Sequence, residues 1–195
     1  MIRALRWLDA LPLTWALLAL PAALTLRTIA RGEHYVPQVL YDTGILSVQL
    51  TVAALAVTPL GVLLGAGSAV VRALRRRRRA LGVAAFGYGF LHALVWVMHT
   101  ADPEETLLEA AEPLFATGWL ALAVLGTLAA TSNRASQRRM GSRWKRLQRW
   151  AHVGLALVVL HWLLVGQFLH HLWPWLLPLL ALQVWRMTRG RKEAT

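Results

Sequence analysis

Residues 75–100, RRRRRALGVAAFGYGFLHALVWVMHT, pass in one step from a run of arginines to an apolar stretch in which histidine is the sole ionisable residue type besides Tyr88. About 20 apolar residues are what a helix needs to cross ~30 Å of hydrocarbon, and a polyarginine block stays in the aqueous phase beside anionic headgroups. The stretch therefore reads as a membrane-spanning helix with its cationic end anchored outside the bilayer. Working outward, similar apolar runs lie near 10–26, 45–71, 114–131, 150–169 and 172–185, which with 80–98 makes six. The last carries Pro174 and Pro178 and is the shortest. With 57% hydrophobic residues and 10 tryptophans in 195 residues, the chain has the composition of an integral membrane protein.

The net charge of +12 reflects topology and does not indicate a nucleic-acid partner, because the basic residues occupy the gaps between apolar runs. If six helices alternate in direction, every basic residue except Arg27 and Arg31 falls on one side: Arg3 and Arg6, Arg72 with Arg75 to Arg79, the cluster from Arg134 to Arg149, and the tail from Arg186 to Lys192. The opposite side holds Glu33, Asp42, Asp102, Glu104, Glu105, Glu109 and Glu112. The positive-inside rule makes the cationic side the cytoplasm and places both termini there. The expected fold class is an all-α integral membrane protein: a six-transmembrane-helix bundle forming one domain over 1–195. The first run reads as a retained helix, since no small-residue cleavage site follows it. No internal repeat at a fixed period is evident.

With no cysteine, thiolate metal sites, iron–sulfur clusters and thiol nucleophiles are excluded together. The seven histidines then carry the chemical interest, because an ionisable group inside a bilayer is costly. His92 lies thirteen residues beyond Arg79, about 20 Å along a helix, and His161 lies twelve beyond Arg149, about 18 Å. Both runs lead outward, so the two imidazoles sit level in the outer half of the membrane. Neither helix carries an acidic residue to ionise them. Two neutral nitrogen donors at one depth suit a bis-histidine haem; zinc would leave a four-coordinate site unfilled. Gly82, Gly87 and Gly89 would let a flat macrocycle approach the backbone, or serve close helix packing. His99, seven residues past His92, reaches the outer level, as do His170 and His171; a haem propionate contact and ordinary solvation are both open to them. His34 reads as a loop residue, and His152 lies too near the inner rim to share a site with His92. Trp96, Trp119, Trp144, Trp150 and Trp162 read as anchors rather than electron relays.

The stretch from Asp42 to His161 resembles the haem-binding membrane subunits of bacterial periplasmic methionine-sulfoxide reductase systems (MsrQ/YedZ), part of the ferric-reductase-like transmembrane group. The matching pieces run in order: Thr43-Gly44; Thr58-Pro59-Leu60; Arg79-Ala80-Leu81-Gly82, then Phe86, Tyr88 and Leu91-His92; Thr131-Ser132; Gln137-Arg138-Arg139-Met140-Gly141, Trp144 and Leu147; and His161. The resemblance implies a b-type haem with His92 and His161 on the ligand positions, in the bacterial inner membrane. It also implies electrons from a cytoplasmic flavin reductase or quinol, and a periplasmic molybdenum-cofactor enzyme that repairs oxidised methionine as acceptor. It allows a bound flavin such as FMN on the Arg134–Arg149 segment, although no Gly-rich phosphate cradle accompanies those cations. Gln148 stands where the family motif has a histidine, so one haem is the expected count.

The reading is thus an electron-transfer subunit with no catalytic site of its own: no Ser-His-Asp arrangement, paired carboxylate or HExxH is present. The alternatives are a haem-dependent ferric or quinone reductase and a non-redox transporter or assembly factor.

Overall fold

A computed structural model of the chain describes residues 11–65, 67–100, 102–166 and 169–192. The helices are Leu11–Ala30 (α1), Val36–Leu63 (α2), Ala69–Thr100 (α3), Pro103–Ala110 (α4), Pro113–Ala130 (α5), Arg134–Met140 (α6), Ser142–Gln148 (α7), Ala151–Leu164 (α8) and Trp173–Lys192 (α9), with a single 3-10 turn at Leu169–His171. No strand occurs among the described residues. Prolines open α2 and α5, where a missing N–H costs nothing. The turn from α2 to α3 runs through Gly65 at φ 79°, a conformation that favours glycine.

Five helices are long and apolar enough to cross a membrane: Pro12–Ala30, Val36–Leu63, Ala69–Thr100, Pro113–Ala130 and Ser142–Leu164, the last taking in α7 and α8. The chain is a multi-pass membrane protein by this measure. The expected sixth segment, 172–185, lies at the start of α9 and falls short, for a physical reason. Trp173, Pro174, Trp175, Pro178 and Gln183 dilute it, and its apolar part spans only about 21 Å before Arg186 is reached. The arginine run is also not a loop: Arg72 to Arg79 lie within α3, whose apolar part starts inside the helix. Likewise the basic segment from Arg134 to Arg149 is helical over α6 and α7. Arg3 and Arg6 lie outside the described residues.

Four helices close a ring in the order α2, α3, α5, α8, with α8 returning to α2; α1 packs outside on α3 and α9 outside on α2. Along α2 the buried polar groups are all paired, as hydrocarbon requires. Thr43 donates to Val39 O (2.6 Å), Thr51 to Ser47 O (2.8 Å), and Ser47 crosses to Ala85 O of α3 (2.8 Å). Gly89 permits that crossing, because a Cβ there would sit 3.2 Å from Ser47 Oγ. The apolar core joins Val48, Val52 and Leu55 of α2 to Trp162 of α8 and to Leu172, Leu176 and Leu179.

α1 has no buried residue in its membrane window and is held by specific polar contacts instead. Pro21 lies inside it, and next to that proline the Tyr88 hydroxyl donates to Leu18 O (2.7 Å) and accepts from Ala22 N (3.1 Å). These are an i, i+4 pair that an uninterrupted helix bonds directly, so a side chain of α3 bridges the ladder of α1 at its proline. Arg77 Nε also donates to Thr14 Oγ1 (3.1 Å). Replacing Tyr88 by Phe removes the bridge and is expected to cost about 1–2 kcal/mol, seen as a lower thermal midpoint in detergent. An unchanged midpoint would mean that the bridge contributes nothing.

Candidate functional site

His92 projects from α3 and His161 from α8, the two diagonal members of the ring. Their ring centres are 6.2 Å apart and their planes perpendicular. The level positions expected from the sequence thus become an actual juxtaposition. Both rings are partly buried and both line a cavity of about 310 Å³ enclosed by the four helices.

Each imidazole is seated the same way. His92 Nδ1 donates to Leu40 O of α2 (2.9 Å), and His161 Nδ1 donates to Leu114 O of α5 (2.8 Å). A carbonyl can only accept, so each Nδ1 carries a proton and each neutral ring keeps its lone pair on Nε2. Four residues after each carbonyl comes a glycine on the same helical face. A Cβ on Gly44 would lie 3.3 Å from His92 Nδ1, and one on Gly118 would lie 3.0 Å from His161 Cε1. A larger residue at either position would press on the ring and shift it from the helix, most at Gly118.

The two seats are a repeat in sequence as well as in space: Leu40-Tyr41-Asp42-Thr43-Gly44 and Leu114-Phe115-Ala116-Thr117-Gly118 share the pattern Leu-aromatic-x-Thr-Gly. The threonines join in, with Thr43 reaching Leu40 O at 3.2 Å and Thr117 reaching Leu114 O at 2.8 Å. No fixed period relates the two segments, and this short pattern is the sequence signal for the residues that orient both histidines. Of the glycines expected to admit a macrocycle, Gly82 and Gly87 face open space, whereas Gly89 lines the cavity.

The arrangement suits a metal. A metal–imidazole bond is about 2 Å and a ring centre lies about 1 Å behind its nitrogen, so two rings sharing one ion stand about 6 Å apart. Among the described residues no cluster of three or more His, Cys, Asp or Glu exists that could complete a protein-only coordination sphere. The apolar, aromatic walls fit a planar macrocycle that would supply the other donors to such a metal.

Trp96, Phe115 and Trp119 form one wall, with Trp96 4.7 Å from Phe115 and 6.2 Å from Trp119 between ring centres. These two tryptophans, and Trp162, are cavity residues rather than surface anchors; Trp150 is exposed as an anchor would be. His99 is exposed near the end of α3 and is not part of the cavity lining. His171 stands against Tyr41, with Nδ1 2.7 Å from the hydroxyl, and His170 stacks on it at 4.0 Å. His152 is exposed and close to Arg149 O and Gln183. Gln148 donates to Leu128 O and Thr131 Oγ1 (both 3.3 Å), while Trp144 Nε1 donates to Thr131 O (2.9 Å). At this level the chain spends its polar groups on the end of α5.

Residues 43–160, more than half of the chain, match the family profile described as ferric reductase like transmembrane component. The chain is also 34% identical over 191 residues to the protein-methionine-sulfoxide reductase heme-binding subunit MsrQ of Ralstonia nicotianae, covering 91% of this chain and 86% of that one. The chain belongs to the MsrQ family of ferric reductase-like membrane components. An MsrQ of Rhizobium meliloti is 34% identical over 168 residues, covering 82% of this chain and 70% of the relative. An MsrQ of Bordetella pertussis is 39% identical over 110 residues, 55% of this chain and 51% of that protein. No solved structure matches. The region matched by the family profile takes in Thr43-Gly44 of the first seat, the whole of the second seat and His92, and stops one residue before His161.

The seating predicts a tautomer. In protein labelled with ¹⁵N-histidine, the His92 and His161 resonances are expected to show the proton on Nδ1 and the lone pair on Nε2. A proton missing from Nδ1 of either ring would contradict the carbonyl contacts.

Proposed function

We propose that this chain is the haem-binding, electron-carrying membrane subunit of a methionine-sulfoxide reductase system, with one haem b held between His92 and His161. The observation that carries the reading is the 6.2 Å separation of two imidazoles whose Nδ1 atoms are both pinned to backbone carbonyls. Similarity to heme-binding MsrQ subunits over 91% of the chain supports it. A bound haem supplies the one-electron couple that a chain without cysteine otherwise lacks.

The protein's own residues do the rest. Hydrogen bonds from Nδ1 to Leu40 and Leu114 fix ring orientation and raise the basicity of the free nitrogens, which favours the oxidised metal. The apolar walls keep water away and lower the local dielectric, an opposing influence on the same couple. Gly44 and Gly118 set how near the rings stand to their helices.

In this reading α9 is the sixth span and both termini are cytoplasmic, in the bacterial inner membrane. Three contacts favour it: Gln183 meets His152 at 3.5 Å, Arg186 lies close enough to Arg78 for their charges to interact, and His171 meets Tyr41 at the other end. The helix therefore runs from the level of the cavity toward the arginine face. Electrons enter from quinol or a cytoplasmic flavin reductase and leave for a periplasmic molybdenum-cofactor enzyme. His99, at the outer end of α3, belongs to the rim that the acceptor approaches; its propionate role passes to other residues below. No flavin is assigned to the chain, since the Arg134–Arg149 cations sit on two short helices and serve topology.

The test is a dithionite-reduced minus oxidised spectrum of purified protein expressed with haem supplied. A sharp α-band is expected in wild type and in Gln148→Ala, and its loss in His92→Ala and in His161→Ala. Absence of the band from wild type would leave the transporter reading in front. Gly118→Val is expected to weaken haem retention at least as much as Gly44→Val, because its Cβ meets the imidazole at 3.0 Å rather than 3.3 Å. Spectral titration of the two variants measures the order. Independently, a C-terminal fluorescent-protein fusion is expected to glow and a C-terminal alkaline-phosphatase fusion to be inactive; the reverse would sink the six-span topology.

A further inference from the structure

A haem b carries two carboxylates, and a carboxylate at the edge of an apolar cavity needs a donor. Most polar atoms lining this cavity are already committed. Ser47 Oγ donates to Ala85 O, and the two Nδ1 atoms donate to Leu40 and Leu114. Trp162 Nε1 is sealed from the cavity and has no partner among the described residues. Two kinds of side-chain donor are left: the indoles of Trp96 and Trp119, which line the apolar wall, and Tyr41, which lines the cavity and whose hydroxyl both donates and accepts, so that its contact with His171 Nδ1 at 2.7 Å leaves it a further hydrogen bond.

The repeated seat sharpens the point. Tyr41 and Phe115 occupy the same place in the two Leu-aromatic-x-Thr-Gly segments, on diagonal helices at one level. Phe115 packs on Trp96, an apolar arrangement; Tyr41 packs edge-on against His171 (5.4 Å) and near Trp162 (5.8 Å). Two nearly equivalent seats offer a flat macrocycle two orientations related by a half-turn. The hydroxyl is present on one side only.

We propose that Tyr41, oriented by His171, receives a carboxylate of the haem and so decides which way round it sits. The inference rests on the haem reading above. In the His171 tautomer that carries its proton on Nδ1, this N–H donates to the Tyr41 oxygen and leaves the phenolic O–H free for a carboxylate; the chain of two hydrogen bonds then strengthens both. His170 lies against His171, with ring centres 4.0 Å apart and planes tilted by 36°. Tyr41 is a positioning residue here, and His171 acts through it.

The test compares ferric protoporphyrin IX with its dimethyl ester, which keeps the iron and the ring and removes the carboxylate charge. Apoprotein in detergent is titrated with each and followed by the Soret band. Wild type is expected to bind the ester about tenfold more weakly or worse. Tyr41→Phe is expected to bind acid and ester within about twofold of each other, and His171→Leu to lie between. Ester binding that matches wild type shows that the variants are folded.

If Tyr41→Phe and His171→Leu keep the wild-type ratio, or wild type itself does not discriminate, the assignment to Tyr41 is overturned while the haem reading stands. A ratio lost in Trp119→Phe and kept in Tyr41→Phe overturns it in favour of the indole wall. No shift of the Soret band from its position in detergent alone, with either ligand, overturns the haem reading itself. Soret circular dichroism gives a second readout: one orientation in wild type yields a stronger band than the mixed orientations expected in Tyr41→Phe.

Discussion

An imidazole in hydrocarbon cannot leave its N–H unpaired, and in a bundle of helices the only abundant acceptors are carbonyls already bonded within the helix. The chain meets this constraint by giving two helical carbonyls an additional donor each: Leu40 takes His92, and Leu114 takes His161. Everything near the site follows from that choice. A ring close enough to reach a helical carbonyl collides with the side chain one turn later, so glycine stands at 44 and at 118. The rings in turn need helices that pass at a fixed distance, which Gly89 and Ser47 set between α2 and α3, and Gly154 allows between α8 and α5 against Val124 and Leu125.

The same constraint explains why the site belongs to the ring and not to the outer helices. α2 and α5 supply acceptors, α3 and α8 supply imidazoles, and the pairs alternate around the cavity. Each half is one helix with the seat followed by a helix with the histidine. The end of α5 contrasts with it: there Gln148 donates to Leu128 O and Thr131 Oγ1, and Trp144 donates to Thr131 O, so side chains cap the helix end.

Much of this was legible in the sequence, and the reason is depth. Helical rise counted from Arg79 and from Arg149 is enough to level His92 with His161, because the arginines fix where each helix leaves the membrane. Rotation is harder. Whether Gly82 or Gly89 meets a neighbour depends on the angle at which α3 faces α2 and α5, and hydropathy carries little information about angle when a helix is apolar all round. For the same reason Trp96 and Trp119 could be placed at a level but not at a wall. The Leu-aromatic-x-Thr-Gly seats escaped notice because their spacing follows the lengths of the intervening helices and loops rather than a period. The short apolar stretch in α9 remains ambiguous by composition, since its tryptophans and prolines lower hydropathy without being charged.

The hydroxyl that Tyr88 inserts beside Pro21 bears on biogenesis. Synthesis delivers α1 to the bilayer well before α3 emerges, so for that interval the first helix carries a proline gap with nothing to bridge it. The rung beside the proline gains its side-chain bridge only when the segment that also carries His92 docks alongside, so the seating of the first helix is tied to the placement of the third.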